Sequence, residues 1–557
     1  MSINNKAFRD TKRKRNRLFL LAAAFLLILT FSKVFLLTSS RSTANLAAFV
    51  LDDQATLWEE LPLREEEWSV WDGTIDKELD GSGDIANPFL IRTAAQLAGW
   101  GVLVDEGRVD SFARLMTNID LNELEWTPIS RFPHNSTTPW NIYSNGRFFC
   151  GYFDGNGYII KNLRIIEKTT NSSFFYRTDH VSYIANCSIL NAHIQTESRS
   201  GILVGTSAGG IGNCHVFGVV NGARVLGGMI GRSHGGLIRH SHASAHILGI
   251  FDRMQPTVIG GFVGIAEDYF YRFVNCRATG RIVAENGREI GGFVGSLSSL
   301  RLTPPPQSRT YYNENLGVWN SISSVDVVGR EDIGGFVGSS STNTNIINCL
   351  SLGNVTGGLR TGGFAGYNRC YLLGNSSSGF VSGDERTGGF IGVNSGPPQT
   401  GFRYSQTGNR EFLRNIGKVV SCRWLQNETV NIHLEGIGVG VTEGKDVDLD
   451  SVSDPGQIRA YNWDQPYAFK PQQYRDAEIV FMQSGESKKL FLDTGGDVPK
   501  ITSIKPRKIE GVSITYEDNC LTLNIDELHA PVVHIVSIGY KSASGEKVEK
   551  RFRFVLR

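Results

Sequence analysis

The chain has 557 residues, and its 56 Lys and Arg against 55 Asp and Glu leave a formal charge of +1, which offers no electrostatic footprint for nucleic acid. Glycine is abundant at 63 and proline scarce at 17, a balance that fits tight turns between strands better than disorder. The length suggests more than one structural unit, although a solenoid can absorb this many residues without a single globular core.

At the N-terminus Arg9, Lys12, Arg13, Lys14, Arg15 and Arg17 precede an apolar run from Leu18 to Leu37. This pattern predicts either a secretory signal or a transmembrane anchor with its basic side in the cytoplasm. No clear small-residue cleavage site follows, with Thr38 to Ser40 marginal, so retention is favoured. The rest of the chain is then expected outside a bacterial membrane or secreted. Residues 38–70 read as a stalk ending in Glu65-Glu66-Glu67.

Pro88 to Ile91 reads as a strand and Thr93 to Val104 as a helix, with Thr93 as N-cap, Gln96 as its capping partner and Gly107 closing it. A helix here suits a cap over the open first coil of a solenoid, because exposed strand edges invite other chains to pair. Next come Asn118-Ile119-Asp120-Leu121, Trp126-Thr127-Pro128-Ile129 and Phe153-Asp154-Gly155-Asn156-Gly157-Tyr158-Ile159-Ile160-Lys161-Asn162-Leu163. Asp-Gly-Asn-Gly demands a sharp turn between two strands. Asp120 and Asp154 are most simply turn formers that hydrogen-bond local backbone.

From residue 201 to 392 one phrase returns: two glycines, two or three apolar residues, and a glycine. Its final glycines fall at 205, 231, 264, 295, 338, 366 and 392, in steps of 26, 33, 31, 43, 28 and 26. A floor near 26 with elastic insertions is a solenoid signature. Between the phrases runs a second element, as in Ile184-Ala185-Asn186-Cys187 and Phe273-Val274-Asn275-Cys276. Such a unit is long enough for one coil of a right-handed parallel β-helix whose strands pair with the next coil at about 4.8 Å. Phe262, Phe293, Phe336, Phe364 and Phe390 are then expected to stack at one inward position, with Gly261, Gly292, Gly335, Gly363 and Gly389 before them at the corners. Cys187, Cys214, Cys276 and Cys349 are expected at another inward position as small buried hydrophobes, since stacked Cβ atoms at strand spacing are too far apart for disulfides.

The order of helix, first-coil motifs and repeated glycine phrases resembles the GLUG-motif β-helix proteins of bacterial surfaces, including the non-catalytic N-terminal regions of streptococcal immunoglobulin A proteases. The match runs from about Trp71 to about Gly392. The resemblance implies a secreted or surface-attached β-helix of the kind found in adhesins and in proteins that act on or bind glycans. It carries over no catalytic residue, and the chain has no His-Glu-x-x-His.

Three insertions interrupt the ladder: Ser130 to Gly146, Ser299 to Val318 and Asn394 to Gly417. Loops leaving a rigid solenoid are where binding residues usually sit, so Tyr311, Tyr312, Trp319, Phe402 and Tyr404 are the candidate ligand contacts. Residues 446–475 read as a linker or end cap. From 476 to 557, about seven short alternating strands give the count and spacing of a small immunoglobulin-like β-sandwich. The predicted fold class is therefore all-β, a β-helix over 71–445 with an N-terminal capping helix, followed by that sandwich.

Because parallel β-helices host polysaccharide lyases and hydrolases, carboxylates in the turns before the glycine phrases are the catalytic candidates. These are Glu285, Glu289, Glu331, Asp332, Asp384 and Glu385, with Arg224, Arg288, Arg330, Arg360 and Arg386 nearby. A glycosidase needs two carboxyls about 5–9.5 Å apart across one cleft, and a lyase needs a base beside a cation. Charged turn tips are equally the ordinary solvated face of a solenoid. His215, His234, His240, His242 and His246 have no zinc spacing and no carboxylate within 215–246, so neither a metal nor a cofactor is expected. Two readings lead: a surface adhesion or binding module for glycan or protein, and a polysaccharide lyase or hydrolase. A structural part in an envelope assembly is third. A cleft of paired carboxylates would favour the enzyme, and a smooth flank would favour binding.

Overall fold

The computed structural model describes residues 68–131, 148–167, 171–250, 257–267, 271–298, 317–341, 344–395, 417–427, 430–440 and 447–454, together with Ile458 and the backbone of strands between 478 and 556. The expected signal or anchor, and the loop residues Tyr311, Tyr312, Phe402 and Tyr404, lie outside the described residues. Among the described residues no helix is long and apolar enough to cross a membrane. The expectation of a transmembrane span is corrected to that extent: among the described residues no such helix stands.

The described strands group into sheets of 25, 9, 6, 4 and 3, and the three largest are parallel throughout their named ladders. One coil shows the plan. Gly210–Gly212 and His215–Gly222 lie in the 25-stranded sheet, Val225–Gly227 in the six-stranded sheet, and Ile230–Ser233 in the nine-stranded sheet; Leu237–Arg239 then starts the next coil. Each strand pairs with its counterpart one coil on, as Val225 with Val258 and Ile230 with Val263. The molecule is a right-handed parallel β-helix, as the recurrence predicts.

Two different devices turn the chain. At the bend between the two strands of the long sheet, the residue before the inward cysteine or serine takes a left-handed conformation, with φ of 51° at Asn186, 53° at Asn213, 47° at His240, 54° at Asn275 and 52° at Asn348. Asparagine tolerates that region better than most side chains. The amides also join neighbouring coils: Asn186 Nδ2 donates to Asp154 Oδ1 at 3.0 Å, and Asn213 Nδ2 to Asn186 Oδ1 at 2.9 Å. The double-glycine corner works by closeness rather than by backbone angle. A Cβ on Gly292 would lie 2.1 Å from the carbonyl oxygen of Gly335, and one on Gly335 would lie 2.3 Å from that of Gly363.

The core is a continuous column. Phe262, Phe293, Phe336, Phe364 and Phe390 are fully buried and stack at 4.9, 4.9, 5.0 and 4.9 Å between centroids. That spacing is the strand spacing, so the backbone ladder sets the ring ladder. The cysteine column is broken by other residues, because Ser241, Ser321 and Asn375 alternate with it. Their side-chain oxygens accept the backbone N–H of Cys214, Cys276 and Cys349 at 3.2, 3.1 and 2.8 Å. Cys150, Cys187, Cys214, Cys276, Cys349, Cys370 and Cys422 are buried and free, and burial pushes the thiols of Cys214 and Cys276 up to about 12.

The helix α1 (Ala94–Asp105) begins as expected. Thr93 accepts the N–H of Gln96 at 3.1 Å, and Gln96 Oε1 accepts from Arg92 N at 2.9 Å, one residue earlier than the usual reciprocal bond. Its Trp100 is wholly buried and stacks on Phe153 at 5.1 Å, with Phe149 and Phe175 edge-on. The helix thus seals the inside of the first coil.

Trp68–Val70, in the expected stalk, pairs with Asn118–Asp120, and Val447–Val452, in the expected linker or end cap, extends the long sheet beside Val419–Leu425. Further on, Glu478–Met482, Lys500–Lys505, Val532–Lys541 and Lys547–Leu556 form the four-stranded sheet, and Ser487–Phe491, Val512–Glu517 and Cys520–Ile525 the three-stranded one. These seven strands equal the expected number, with Glu478–Met482 parallel to Lys547–Leu556 and the other named pairings antiparallel.

Candidate functional site

The catalytic candidates gather along the six-stranded sheet, where they form a charged ladder. Arg288, Glu331, Leu359 and Glu385 occupy one register column. The residue after each of these, Glu289, Asp332, Arg360 and Arg386, is left-handed, with φ between 53° and 59°. The shared left-handed residue places both columns at the same corner of each of these coils.

Within this ladder the carboxylates are tied to guanidiniums. Arg360 Nη2 donates to Glu331 Oε1 at 2.7 Å and to Asp332 Oδ2 at 2.8 Å, and its Nε is bonded to Asp332 Oδ1. Arg288 Nε pairs with the other Glu331 oxygen at 2.8 Å. Arg360 also lies 5.7 Å above the Tyr367 ring. Burial raises the Asp332 carboxyl even though Arg360 opposes it, and burial with the neighbouring Asp332 charge raises Glu289, whose side chain is bonded to Ser296. Arg360 is raised in turn by its bond to Asp332.

Arg330 and Asp384 are exposed at turn tips, and Glu385 is exposed at the start of the strand Glu385–Gly388. Glu285, also exposed, borders a recess of about 240 Å³ lined by Leu248, Gly249, Thr257, Val283, Asn286 and Gly287. The structure therefore gathers Glu331, Asp332, Arg288 and Arg360 into one ion-pair network, with Glu289 beside it, and leaves Glu285, Asp384 and Glu385 apart from it.

Trp319 is not on a loop. It ends the strand Gly317–Trp319, out of step with inward Val318, and is 3% exposed. Asp120 and Asp154 accept local backbone bonds, from Asn122 N at 2.8 Å and Asn156 N at 2.9 Å. Each is also the first rung of an amide ladder, Asp120 through Asn162 Nδ2 at 2.7 Å. Gly155 lies against the Asn186 carbonyl, and Gly157 supplies the turn's φ of +77°.

Of the five histidines, His234 and His242 are the most perturbed. Burial holds His242 down to about 3, with Arg277 and His215 adding to it, and its Nε2 lies 3.0 Å from Thr279 Oγ1. Burial holds His234 down to about 4, outweighing Glu267, whose oxygen is 3.2 Å from Nδ1. Between those values and the usual 6.5, these rings are neutral when folded and protonated when unfolded. The unfolded chain then binds more protons, and stability falls as pH descends. We expect the urea midpoint to drop between pH 6.5 and 4.5, and to drop less steeply in His242→Gln. Glu289 and Asp332, raised by burial, act in the opposite direction, so the difference in slope between wild type and variant is the measurement. Equal slopes would contradict the assignment.

A second cluster, of which the sequence singles out only His234, gathers Arg177, Arg199, Arg232, His234 and Glu267 on the outer face of the nine-stranded sheet. Among the described residues no group of three or more His, Cys, Asp or Glu has the geometry to hold a metal ion.

The fold and these flanks define a rigid, repetitive β-solenoid scaffold. No family model matches the chain. A stretch of 163 residues is 28% identical to Halomucin of Haloquadratum walsbyi, covering 27% of this chain and 2% of that protein. Among solved structures, an IgA1 protease is similar over 54% of this chain and 22% of its own, with 18% identity and a TM-score of 0.38. The chain thus spans a small fraction of the length of each. These are distant resemblances, and the GLUG assignment stands as a resemblance of motifs without a family match.

Proposed function

We propose that this chain is a secreted or surface-displayed binding protein, which presents the flanks of a rigid β-helix to extracellular glycan or protein ligands, with the region beyond residue 476 as a separate sandwich domain. One observation carries the choice of binding over catalysis. Of the carboxylates that would serve a lyase or hydrolase, Glu331 and Asp332 are locked to Arg288 and Arg360 on a corner ladder, and Glu285, Asp384 and Glu385 stand apart from that network. A general base must be free to take a proton, and a carboxylate held on both oxygens by a guanidinium is a poor one.

The test is a glycan array probed with the full chain, followed by product analysis of each hit. Tight binding with intact ligand is the expected result. New reducing ends or unsaturated products would sink the binding reading in favour of an enzyme, and silence on every glycan would move the ligand to the protein class.

A further inference from the structure

On the outer face of the nine-stranded sheet, Arg177 is in register with Thr206, and Thr206 with Arg232. One column further on, His234 and Glu267 follow the paired residues Ser233 and Ala266 and so are neighbours across the strands. Arg232 is ion-paired through Nη2 to Glu267 Oε1, and the same oxygen faces His234 Nδ1. Arg199 arrives from the turn before the sheet. The backbone nitrogen of its neighbour Ser200 lies 2.8 Å from where a Cβ on Gly231 would stand, and Gly231 precedes Arg232. Arg177 is buried with its guanidinium 4.2 Å over the Phe148 ring.

The charges here do not balance. Among the described residues, the carboxylates that act on these groups are Glu267 and Asp179, and Asp179 is bonded to His180. Arg177 and Arg199 are both held below the usual arginine range, first by burial, with neighbouring arginines adding to it. Arg232 Nε is buried without a hydrogen-bond partner. A buried donor with no acceptor costs about 1–3 kcal/mol, and more on a charged group. An oxyanion reaching between Arg199 and Arg232 would accept from Nε and relieve the repulsion, as guanidiniums pair with carboxylate and sulfate through parallel N–H bonds.

We propose that this cluster binds an oxyanion substituent, carboxylate or sulfate, of an acidic glycan, with Arg199 and Arg232 in contact and Glu267 and His234 holding Arg232 in place. The proposal rests on the glycan-binding reading above and deepens it. Arg199 and Arg232 are the more open of the three guanidiniums, while Arg177 forms the floor.

Calorimetric titration of the full chain compares three oligosaccharides of equal length: a uronate, a sulfated one and a neutral one. At least one acidic ligand is expected to bind tenfold or more tightly than the neutral one, and to weaken as salt rises from 50 to 500 mM, salt levels over which the Debye length shrinks from about 14 to about 4 Å. The two acidic arms tell carboxylate from sulfate. Arg199→Gln, chosen because it leaves the Arg232–Glu267 pair intact, is expected to lose that preference at least tenfold with an unchanged urea midpoint, and Arg199→Lys to recover part of it. Equal affinity for acidic and neutral ligands overturns the proposal and leaves glycan binding standing. An Arg199→Gln protein that binds the acidic ligand as wild type also overturns it. Silence in all three arms removes both the site and the glycan reading.

Discussion

Phe336→Ala is expected to destabilise the solenoid by about 3–5 kcal/mol, the range for a large aromatic truncated in a core. Phe336 is fully buried between Phe293 at 4.9 Å and Phe364 at 5.0 Å, with ring planes 3° and 1° from parallel. Removing the middle ring deletes two stacking contacts. The neighbours cannot move in to fill the gap, because each is fixed at the height of its own coil by backbone bonds, as Phe336 N donates to Phe364 O at 2.9 Å. The cavity therefore stays open, which places the cost at the upper part of the range.

Since each coil contacts chiefly its neighbours, the loss falls on the coils around 293–364. Urea unfolding is expected to start earlier and to lose two-state shape, and amide exchange is expected to speed up first in those coils. Phe390→Ala should cost less, because Phe390 has a stacked ring partner in the ladder on one side only, Phe364. An unchanged urea midpoint for Phe336→Ala would refute the ring ladder as a source of stability.

Arg360→Ala carries the second large effect, and its pH dependence separates it from simple loss of packing. Arg360 holds both oxygens of Asp332 and one of Glu331. Breaking a buried pair from one side leaves an uncompensated charge and costs about 3–5 kcal/mol when burial is complete. Arg360 is 20% exposed, so a value of about 2–3 kcal/mol at neutral pH follows. Asp332, already raised by burial, would rise further without its partner. A carboxyl raised in the fold binds its proton more readily there than in the unfolded chain, so the variant regains stability as pH falls through the raised value. The gap between wild type and Arg360→Ala in urea midpoint is expected to narrow from pH 7 to pH 4. A gap that stays constant would show that Arg360 acts by packing alone. Arg360→Lys should recover only part of the loss, because an ammonium cannot span both carboxylates as the guanidinium does.

How much of this was legible depends on whether a role repeats. The phenylalanines and double glycines recur as the same residue at the same place in each coil from 261 to 390, and the inward cysteines recur with Ser241, Ser321 and Asn375 between them, so periodicity alone exposed them. The Thr93–Gln96 cap was readable because both partners lie three residues apart in the chain. The charged ladder was half legible: Glu331, Asp332 and Arg288 stood out in the turns, but only register showed that Arg360 closes the pairs. Trp319 was misread because its position beside a long insertion suggests a loop, whereas strand alternation and burial decide its place. Of the cluster of Arg177, Arg199, Arg232, His234 and Glu267, only His234 stood out in the sequence. The cluster's column reads Arg177, Thr206, Arg232, Ile265, with no residue type kept from one coil to the next and with unequal insertions between.

The amino-acid sequence by itself determined the coil, its inward column, its capping helix and the strand count beyond residue 476, because each follows from local periodicity, turn chemistry and the size of a recurring side chain. Only the tertiary structure decided which charges meet. Residues about 30 apart are brought to within hydrogen-bonding distance by stacking, and the elastic insertions hide that register until the backbone ladders fix it.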